Sequence, residues 1–147
     1  MTDGRILVTG GAGFIGGHLA ESLLHAGHSV VTLDPLDPYY AVGIKERTLE
    51  RCRSVGGDRF SFVDGSVTDE ATVRSVIADH DIAVIFHEAA QAGVRTSVEH
   101  PKKPHEINTT GLLNVLLAAE AHGVEKLVNA SSSSVYGVPD YLPYDER

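Results

Sequence analysis

The sequence predicts an α/β protein built on a doubly wound parallel sheet of about five strands. Short apolar runs without polar alternation recur along the chain, which is typical of strands that are buried on both faces. Helix-like segments separate these runs, and no internal repeat or low-complexity tract interrupts the alternation. At 147 residues the chain is about one domain long, and it can bury about two-thirds of its unfolded surface.

The elements follow from the apolar runs and from residues that start or stop helices. The predicted strands are residues 6–9, 29–33, 60–63, 82–86 and 126–130. The predicted helices are residues 14–26, 44–55, a segment that ends at residue 78, and 107–122. Gly27 marks the end of the first helix, and the residues from Thr68 to Ala71 resemble an N-cap that opens the third. Pro101 and Pro104 indicate a loop before the last helix.

Composition excludes several classes of function. The hydrophobic content of 42% and the charged content of 22% are those of a globular protein. The net charge of −8 argues against nucleic acid and anionic membranes as partners. No apolar run approaches the ~18 residues of a membrane span, and the N-terminus lacks a signal-peptide pattern, so we expect a cytoplasmic protein. Cys52 is the single cysteine, which excludes an internal disulfide, and neither it nor the eight histidines show metal-ligand spacing.

A glycine-rich turn follows the first strand and precedes the first helix. It contains Gly10, Gly11, Gly13 and Gly16, and strand, glycine turn and helix together form the context of a dinucleotide pyrophosphate site. We expect Gly10 and Gly11 to take positive φ, Gly13 to let the backbone approach the phosphates, and Gly16 to bring the helix close to the strand. The free N–H groups of the helix that starts near Phe14 then face the anion.

Asp34 directly follows the second strand, 18 residues after Gly16. At this position an acidic side chain accepts hydrogen bonds from an adenosine ribose. Because a carboxylate repels a 2′-phosphate, Asp34 favours NAD over NADP as the cofactor. The alternative is that Asp34 opens a turn with Pro35, as Asp-Pro commonly does.

Four ordered motifs resemble one family. They are the glycine turn from Thr9 to Gly16, His87-Glu88-Ala89-Ala90-Gln91-Ala92-Gly93-Val94-Arg95, Asn108-Thr109-Thr110-Gly111 and Ser131-Ser132-Ser133-Ser134-Val135-Tyr136-Gly137. Together they resemble the extended short-chain dehydrogenase/reductases, which have a Rossmann fold. Within that group the chain is similar to the NAD-dependent nucleotide-sugar epimerases and dehydratases, most closely the UDP-glucuronate and UDP-glucose 4-epimerases.

The resemblance implies a reaction and a set of site residues. In this family NAD takes a hydride from C4 of a UDP-sugar and returns it to the other face. The implied cofactor contacts are the glycine turn with Phe14 and Ile15, Asp34, Ser66 or Val67 near the adenine, Ala89 and Ala90 beside the nicotinamide ribose, and Asn108. Ser132, or Ser133 if the register shifts by one, is the implied serine on the reacting hydroxyl, with Val94 and Ser97 as substrate neighbours. His87 in this motif is expected to be structural rather than a proton-transfer group, although histidine titrates near neutral pH.

Two departures from the family pattern affect these expectations. Relatives usually have aspartate where this chain has Ser66, and a neutral hydroxyl makes a weaker hydrogen bond to the adenine. The family's general base is the tyrosine of a Tyr-x-x-x-Lys pair beyond the serine, and no tyrosine in this chain has lysine four residues later. We therefore expect residues 1–147 to be an incomplete NAD-binding domain, as a cut fragment or a truncated gene product. Such a chain lacks the C-terminal nucleotide-sugar domain and is inactive alone.

Three functions remain open on the sequence. In the first, the chain is the N-terminal part of a UDP-sugar 4-epimerase. In the second, it belongs to a dehydratase or a decarboxylating relative. In the third, it is a stand-alone NAD-binding module with a regulatory role. The expected substrate of the complete enzyme is a UDP-sugar. A homodimer is also expected to be possible, because relatives pair through two helices, of which one is the helix over residues 107–122.

Overall fold

Five strands form one parallel sheet in the computed structural model, which describes residues 4–138 and 140–146. The strands are β1 (Arg5–Thr9), β2 (Val30–Asp34), β3 (Phe60–Asp64), β4 (Ile82–His87) and β5 (Lys126–Asn129). They pair in parallel in the order β3-β2-β1-β4-β5. The chain first builds the sheet outward from β1 to β3 and then returns to the other side of β1. The predicted doubly wound fold is therefore confirmed, with its change of direction between β1 and β4.

The helices occupy both faces of this sheet. They are α1 (Phe14–His25), α2 (Val42–Gly56), α3 (Glu70–Asp79), α4 (Val94–Glu99), α5 (Lys102–His105) and α6 (Leu112–Ala121). The side chain of Asp69 caps α3 by accepting hydrogen bonds from two backbone N–H groups of its first turn. Within the described residues, no helix has both the length and the apolar character needed to cross a bilayer.

The structure corrects the prediction for the segment before the last helix. The expected loop contains α4 and α5, and the expected helix over residues 107–122 begins as a π-helical segment, Glu106–Gly111, that continues into α6. Pro101 is the N-cap of α5 and Pro104 lies in its first turn. In these positions proline's missing N–H has no helical partner to lose, so both prolines are compatible with a helix.

The core consists of two apolar clusters, one on each face of the sheet. On one face Leu7 and Ile85 pack with residues of α3 and α6. On the other face Ile6 and Val8 pack with residues of α1 and α2, including the buried Cys52. Successive residues of β1 thus enter opposite clusters, which explains why the central strands are continuous apolar runs. The two layers leave the carboxyl ends of the strands open at one edge.

Candidate functional site

A cleft of about 1000 Å³ lies at the carboxyl ends of the strands. Its lining includes most of the residues selected from the sequence: Gly10, Gly13, Phe14, Ile15, Gly16, Asp34, Ser66, Val67, Ala89, Ala90, Asn108 and Ser132. Gly11, Ser133, Val94 and Ser97 are not among the lining residues. The cleft therefore brings together parts of the chain that are far apart in sequence, at the place where doubly wound sheets bind ligands.

The glycine turn joins β1 to α1 through close backbone contacts. Gly10 has φ +67°, a conformation that favours glycine. Gly11 does not take positive φ, which corrects the expectation; a Cβ there would instead lie 2.5 Å from Cβ of Thr32 in β2. A Cβ on Gly16 would collide with the carbonyl oxygen of Gly10. The helix therefore packs against the turn itself, and larger residues would push it away.

The N-terminus of α1 faces the cleft, and no side chain caps it. Gly13 is the N-cap and makes no side-chain hydrogen bond to the helix, and the first turn has no acidic residue. Phe14 and Ile15 are 76% and 65% exposed beside it. The first-turn N–H groups and the positive end of the helix dipole are thus available to a negatively charged ligand. This arrangement fits a pyrophosphate.

Asp34 is buried at the end of β2 and is 3% exposed. Its Oδ1 accepts a hydrogen bond from the Leu36 backbone N–H at 2.9 Å, which is the turn proposed as the alternative role. The same oxygen lies 3.1 Å from Nζ of Lys45. Oδ2 accepts a long hydrogen bond from the Ala12 N–H at 3.3 Å, which ties the glycine turn to β2. Oδ1 therefore stabilises the local turn at Leu36, and Oδ2 lies toward the glycine turn.

Lys45 is a site residue that the sequence interpretation missed. It lines the cleft, and its side chain is 8% exposed. It occupies the buried face of α2 together with Thr48, Leu49 and Cys52. Helical periodicity predicts an apolar residue at this position of α2. The charged residue found there was the signal that could have identified Lys45 as a site residue.

A buried hydrogen-bond network joins the ends of β1 and β4. The side-chain oxygen of Thr9 lies 2.8 Å from Nδ1 of His87 and accepts the Ala89 backbone N–H at 3.2 Å. Burial lowers the pKa of His87 to about 4, so its imidazole is neutral at pH 7. These contacts hold the start of the loop that contains Ala89 and Ala90, and they agree with a structural role for His87.

Asn108 fixes the far end of the same loop. Its side-chain oxygen accepts the Gln91 backbone N–H at 2.8 Å, and its side-chain nitrogen donates to the Gln91 carbonyl at 3.2 Å. The side-chain amide of Asn108 thus bonds to both the backbone N–H and the backbone carbonyl of Gln91. Asn108 lies in the π-helical segment Glu106–Gly111, and such segments are frequent at functional sites. Asn108 is placed to position the loop beside the cleft.

Ser66 and Val67 form the wall beyond β3. The Ser66 hydroxyl accepts the Thr68 backbone N–H at 3.2 Å and lies 2.8 Å from the Thr68 hydroxyl. Val67 is 4% exposed, and its carbonyl accepts a hydrogen bond from the Asn114 side chain at 3.0 Å. The wall is thus held by local turns and by α6.

The serine run follows β5 at the open side of the cleft. Ser132 lines the cleft and also caps a 3₁₀ turn, Ser133–Tyr136, by accepting the Ser134 backbone N–H at 3.2 Å. Val94 is 83% exposed at the start of α4, and the hydroxyl of Ser97 bonds to the Val94 carbonyl at 2.7 Å. The structure therefore places Ser132 at the cleft and leaves the two expected substrate neighbours outside its lining.

Comparisons with known proteins find similar sequences and structures. Protein CapI of Staphylococcus aureus is 39% identical, with 95% of this chain and 41% of the relative covered. A UDP-glucose 4-epimerase of Klebsiella pneumoniae is 37% identical, with 97% and 99% covered. A UDP-glucose-4-epimerase structure from Stenotrophomonas maltophila, with bound NAD and formylated UDP-arabinopyranose, superposes with a TM-score of 0.85 at 34% identity. That match covers 97% of this chain and 41% of the solved one.

This chain thus spans about 41% of the length of CapI and of the Stenotrophomonas enzyme. A family model described as the NAD dependent epimerase/dehydratase family matches residues 6–147. That match includes the glycine turn, Asp34, the loop after β4 and the serine run. Since it extends over nearly the whole chain, this protein belongs to the NAD dependent epimerase/dehydratase family.

Proposed function

We propose that the cleft binds NAD and that this chain is the cofactor-binding part of a nucleotide-sugar 4-epimerase. Its substrate is a UDP-hexose or UDP-hexuronate that is transiently oxidised at C4. One observation carries the proposal: the glycine turn, Asp34, the loop after β4 and Ser132 all meet in one cleft at the carboxyl edge of the sheet. The Stenotrophomonas epimerase, which has a similar fold, was crystallised with NAD, and this supports the choice of cofactor.

The residues of the cleft fit the successive parts of a dinucleotide. The pyrophosphate belongs at the uncapped N-terminus of α1, where Gly13 presents no side chain. Asp34 takes the adenosine ribose, and Ser66 with Val67 forms the adenine wall. Ala89 and Ala90 lie beside the nicotinamide ribose, on the loop that Thr9 and Asn108 hold at its two ends. Gly11 does not contact the dinucleotide in this proposal but stabilises the glycine turn, because it packs against β2.

Ser132 is the residue of this chain that we assign to the reacting sugar. Bound NAD supplies the acceptor and donor of the C4 hydride. The Ser132 hydroxyl lines the cleft and is placed to hydrogen-bond the hydroxyl that is oxidised; Ser133 is the less suitable candidate, since it is not among the lining residues. Val94 and Ser97 contact substrate in this proposal only if a bound sugar extends to α4.

We propose further that residues 1–147 are an incomplete domain, completed in the whole enzyme by the Tyr-x-x-x-Lys pair and a nucleotide-sugar domain. The 41% coverage of CapI and of the Stenotrophomonas enzyme supports this, whereas the Klebsiella relative is covered over 99% of its length. A homodimer is proposed through the outer face of α6, where Leu113, Leu116 and Leu117 are 52%, 45% and 44% exposed. The proposed location of the enzyme is the cytoplasm.

Two alternatives share the same cofactor site. A dehydratase or decarboxylating relative uses the same fold, and the family description includes dehydratases. A regulatory module would bind NAD without a sugar nucleotide. Because the cofactor site is common to all three functions, NAD binding is tested first.

Isothermal titration of the monodisperse 147-residue chain with NAD is the direct test. We expect saturable one-site binding, and about tenfold or greater weakening in Gly13→Ala, whose Cβ would lie 3.0 Å from the Gly10 carbonyl oxygen and crowd the glycine turn. Gly43→Ala is the matched control, since a Cβ there meets only the end of the Glu46 side chain, at 3.9 Å. It should leave the affinity unchanged. A flat titration of wild-type protein that still unfolds cooperatively would rule out the proposed cofactor site.

A further inference from the structure

We propose that Lys45 sets the cofactor specificity of this site by positioning Asp34 and by offsetting its charge. The inference rests on the proposed NAD site. Asp34 alone would repel the 2′-phosphate of NADP, but its carboxylate forms a buried ion pair with Lys45 at 3.1 Å. The ribose end of the cleft therefore presents a nearly neutral pair, and discrimination against NADP is weaker than a lone aspartate would give.

Leu36 and Lys45 fix the orientation of the Asp34 carboxylate. Oδ1 is engaged twice, by the Leu36 N–H at 2.9 Å and by Nζ of Lys45 at 3.1 Å. Oδ2 has the single long contact with the Ala12 N–H, at 3.3 Å, among hydrogen bonds of the described residues. A carboxylate has about four acceptor positions. Lys45 thus holds Oδ1 toward the protein and leaves Oδ2 with capacity for a ligand hydroxyl.

The positive charge of Lys45 lies at the edge of the cleft, close to Asp34. Lys45 comes from α2, its side chain is 8% exposed, and Nζ lies 5.4 Å from the centre of the Tyr40 ring. Both Lys45 and Tyr40 line the cleft. A group that hydrogen-bonds to Oδ2 lies no more than about 8 Å from Nζ, given ordinary hydrogen-bond lengths and the size of a carboxylate. At that range, in a partly desolvated cleft, a phosphate group interacts with the ammonium group.

The ammonium group also has unused capacity. It has three N–H donors, and one is directed to Asp34. The cation–π contact with the Tyr40 ring stabilises the positive charge without forming a conventional hydrogen bond. A 2′-phosphate whose oxygen reaches Nζ would accept a charge-assisted hydrogen bond from Lys45. A ribose hydroxyl is a neutral acceptor and gains less from the same donor.

The test compares dissociation constants for NAD and NADP, measured by titration calorimetry on the 147-residue chain. Lys45→Met keeps an unbranched side chain that is one heavy atom shorter, and removes its charge. We expect the ratio of the NADP to the NAD dissociation constant to rise about tenfold or more. Lys45→Arg should keep the ratio close to that of wild type, and Lys102→Met, at an exposed lysine of α5, should leave it unchanged.

Asp34→Asn tests the pair from the other side. It removes the negative charge and keeps Lys45, so the same ratio should fall below the wild-type value. Lys45→Gln, which also removes the positive charge, carries the test if Lys45→Met fails to fold, and urea unfolding of each variant shows which have folded. An unchanged ratio in folded Lys45→Met or Lys45→Gln would overturn the role of Lys45, and a ratio that does not fall in Asp34→Asn would overturn the role of the Asp34 charge. Wild-type protein that binds neither dinucleotide would overturn the proposed function as well.

Discussion

At the scale of single residues, Asp34 shows that two interpretations of one side chain can both hold. Its carboxylate accepts hydrogen bonds from Leu36, Lys45 and Ala12. The contact with Leu36 is the expected Asx-type turn, and it leaves the other oxygen near the glycine turn. A turn role therefore does not compete with a ligand role, because a carboxylate has enough acceptor positions for both.

His87 makes a residue-scale prediction about pH. Its pKa is lowered from 6.5 to about 4 by burial, so the folded state disfavours the proton that the unfolded state binds. The stability contributed by neutral His87 is complete above pH 6.5 and is lost as the pH falls toward 4. Between pH 7.5 and 5.5 we expect a loss of about 1.4 kcal/mol in the free energy of unfolding from this residue.

Urea unfolding at the two pH values measures this loss. His87→Asn keeps a polar side chain and should show a smaller decrease than wild type. His25→Asn, at an exposed histidine of α1, should decrease as wild type does. Equal decreases in wild type and His87→Asn would mean that His87 titrates normally in the folded protein.

At the scale of elements, the π-helical segment before α6 makes Asn108 available to the loop after β4. Asn108→Ala removes two hydrogen bonds to Gln91, each worth about 1 kcal/mol. We expect amide hydrogen exchange at Gln91 to become about tenfold faster or more, with a smaller effect on global stability. Exchange followed by NMR measures this change.

The matched control is Thr110→Ala, at an exposed position of the same π-helical segment. It should leave the exchange of Gln91 at the wild-type rate. If Asn108→Ala also left the Gln91 amide protected, Asn108 would not be the residue that holds the loop.

At the scale of the whole molecule, the cleft is open on the side of β5. Ser132 is exposed, as are Lys126, Val128 and Asn129 of β5. The tyrosines among the lining residues are Tyr39 and Tyr40, and Tyr40 lies beside Lys45 rather than near the serine run. Tyr136 belongs to the 3₁₀ turn that Ser132 caps, but it is not among the lining residues of the cleft.

We therefore expect no turnover by the 147-residue chain. With NAD present, it should convert neither UDP-glucose nor UDP-glucuronate, because proton removal from the sugar hydroxyl lacks its base. Chromatographic separation of the C4 epimers measures conversion, with the Stenotrophomonas epimerase as the positive control for the assay. Conversion above the no-protein background would show that this chain carries a base that the proposal has not identified.

The agreement between sequence and structure depends on how far apart the interacting residues lie. The strands are predicted correctly because parallel central strands are apolar on both faces, which a local run reveals. The segment around Pro101 was predicted as a loop, since proline is compatible with a first helical turn but does not reveal whether a helix follows. The prediction of positive φ for Gly11 is also wrong. Glycine is required at this position because a Cβ would contact Thr32 in another strand.

By itself, the sequence determined the doubly wound sheet, the glycine turn and the acidic residue at the end of β2, since each depends on neighbours within a few positions. Only the tertiary structure decided that Lys45 pairs with Asp34, 11 residues away, and that Thr9 meets His87, 78 residues away. It also decided that Ser131 and Ser132 line the cleft and that Ser133 does not. The physical reason is that hydrogen bonds and ion pairs depend on distances in space, and these exist only once the sheet has brought the strand ends together.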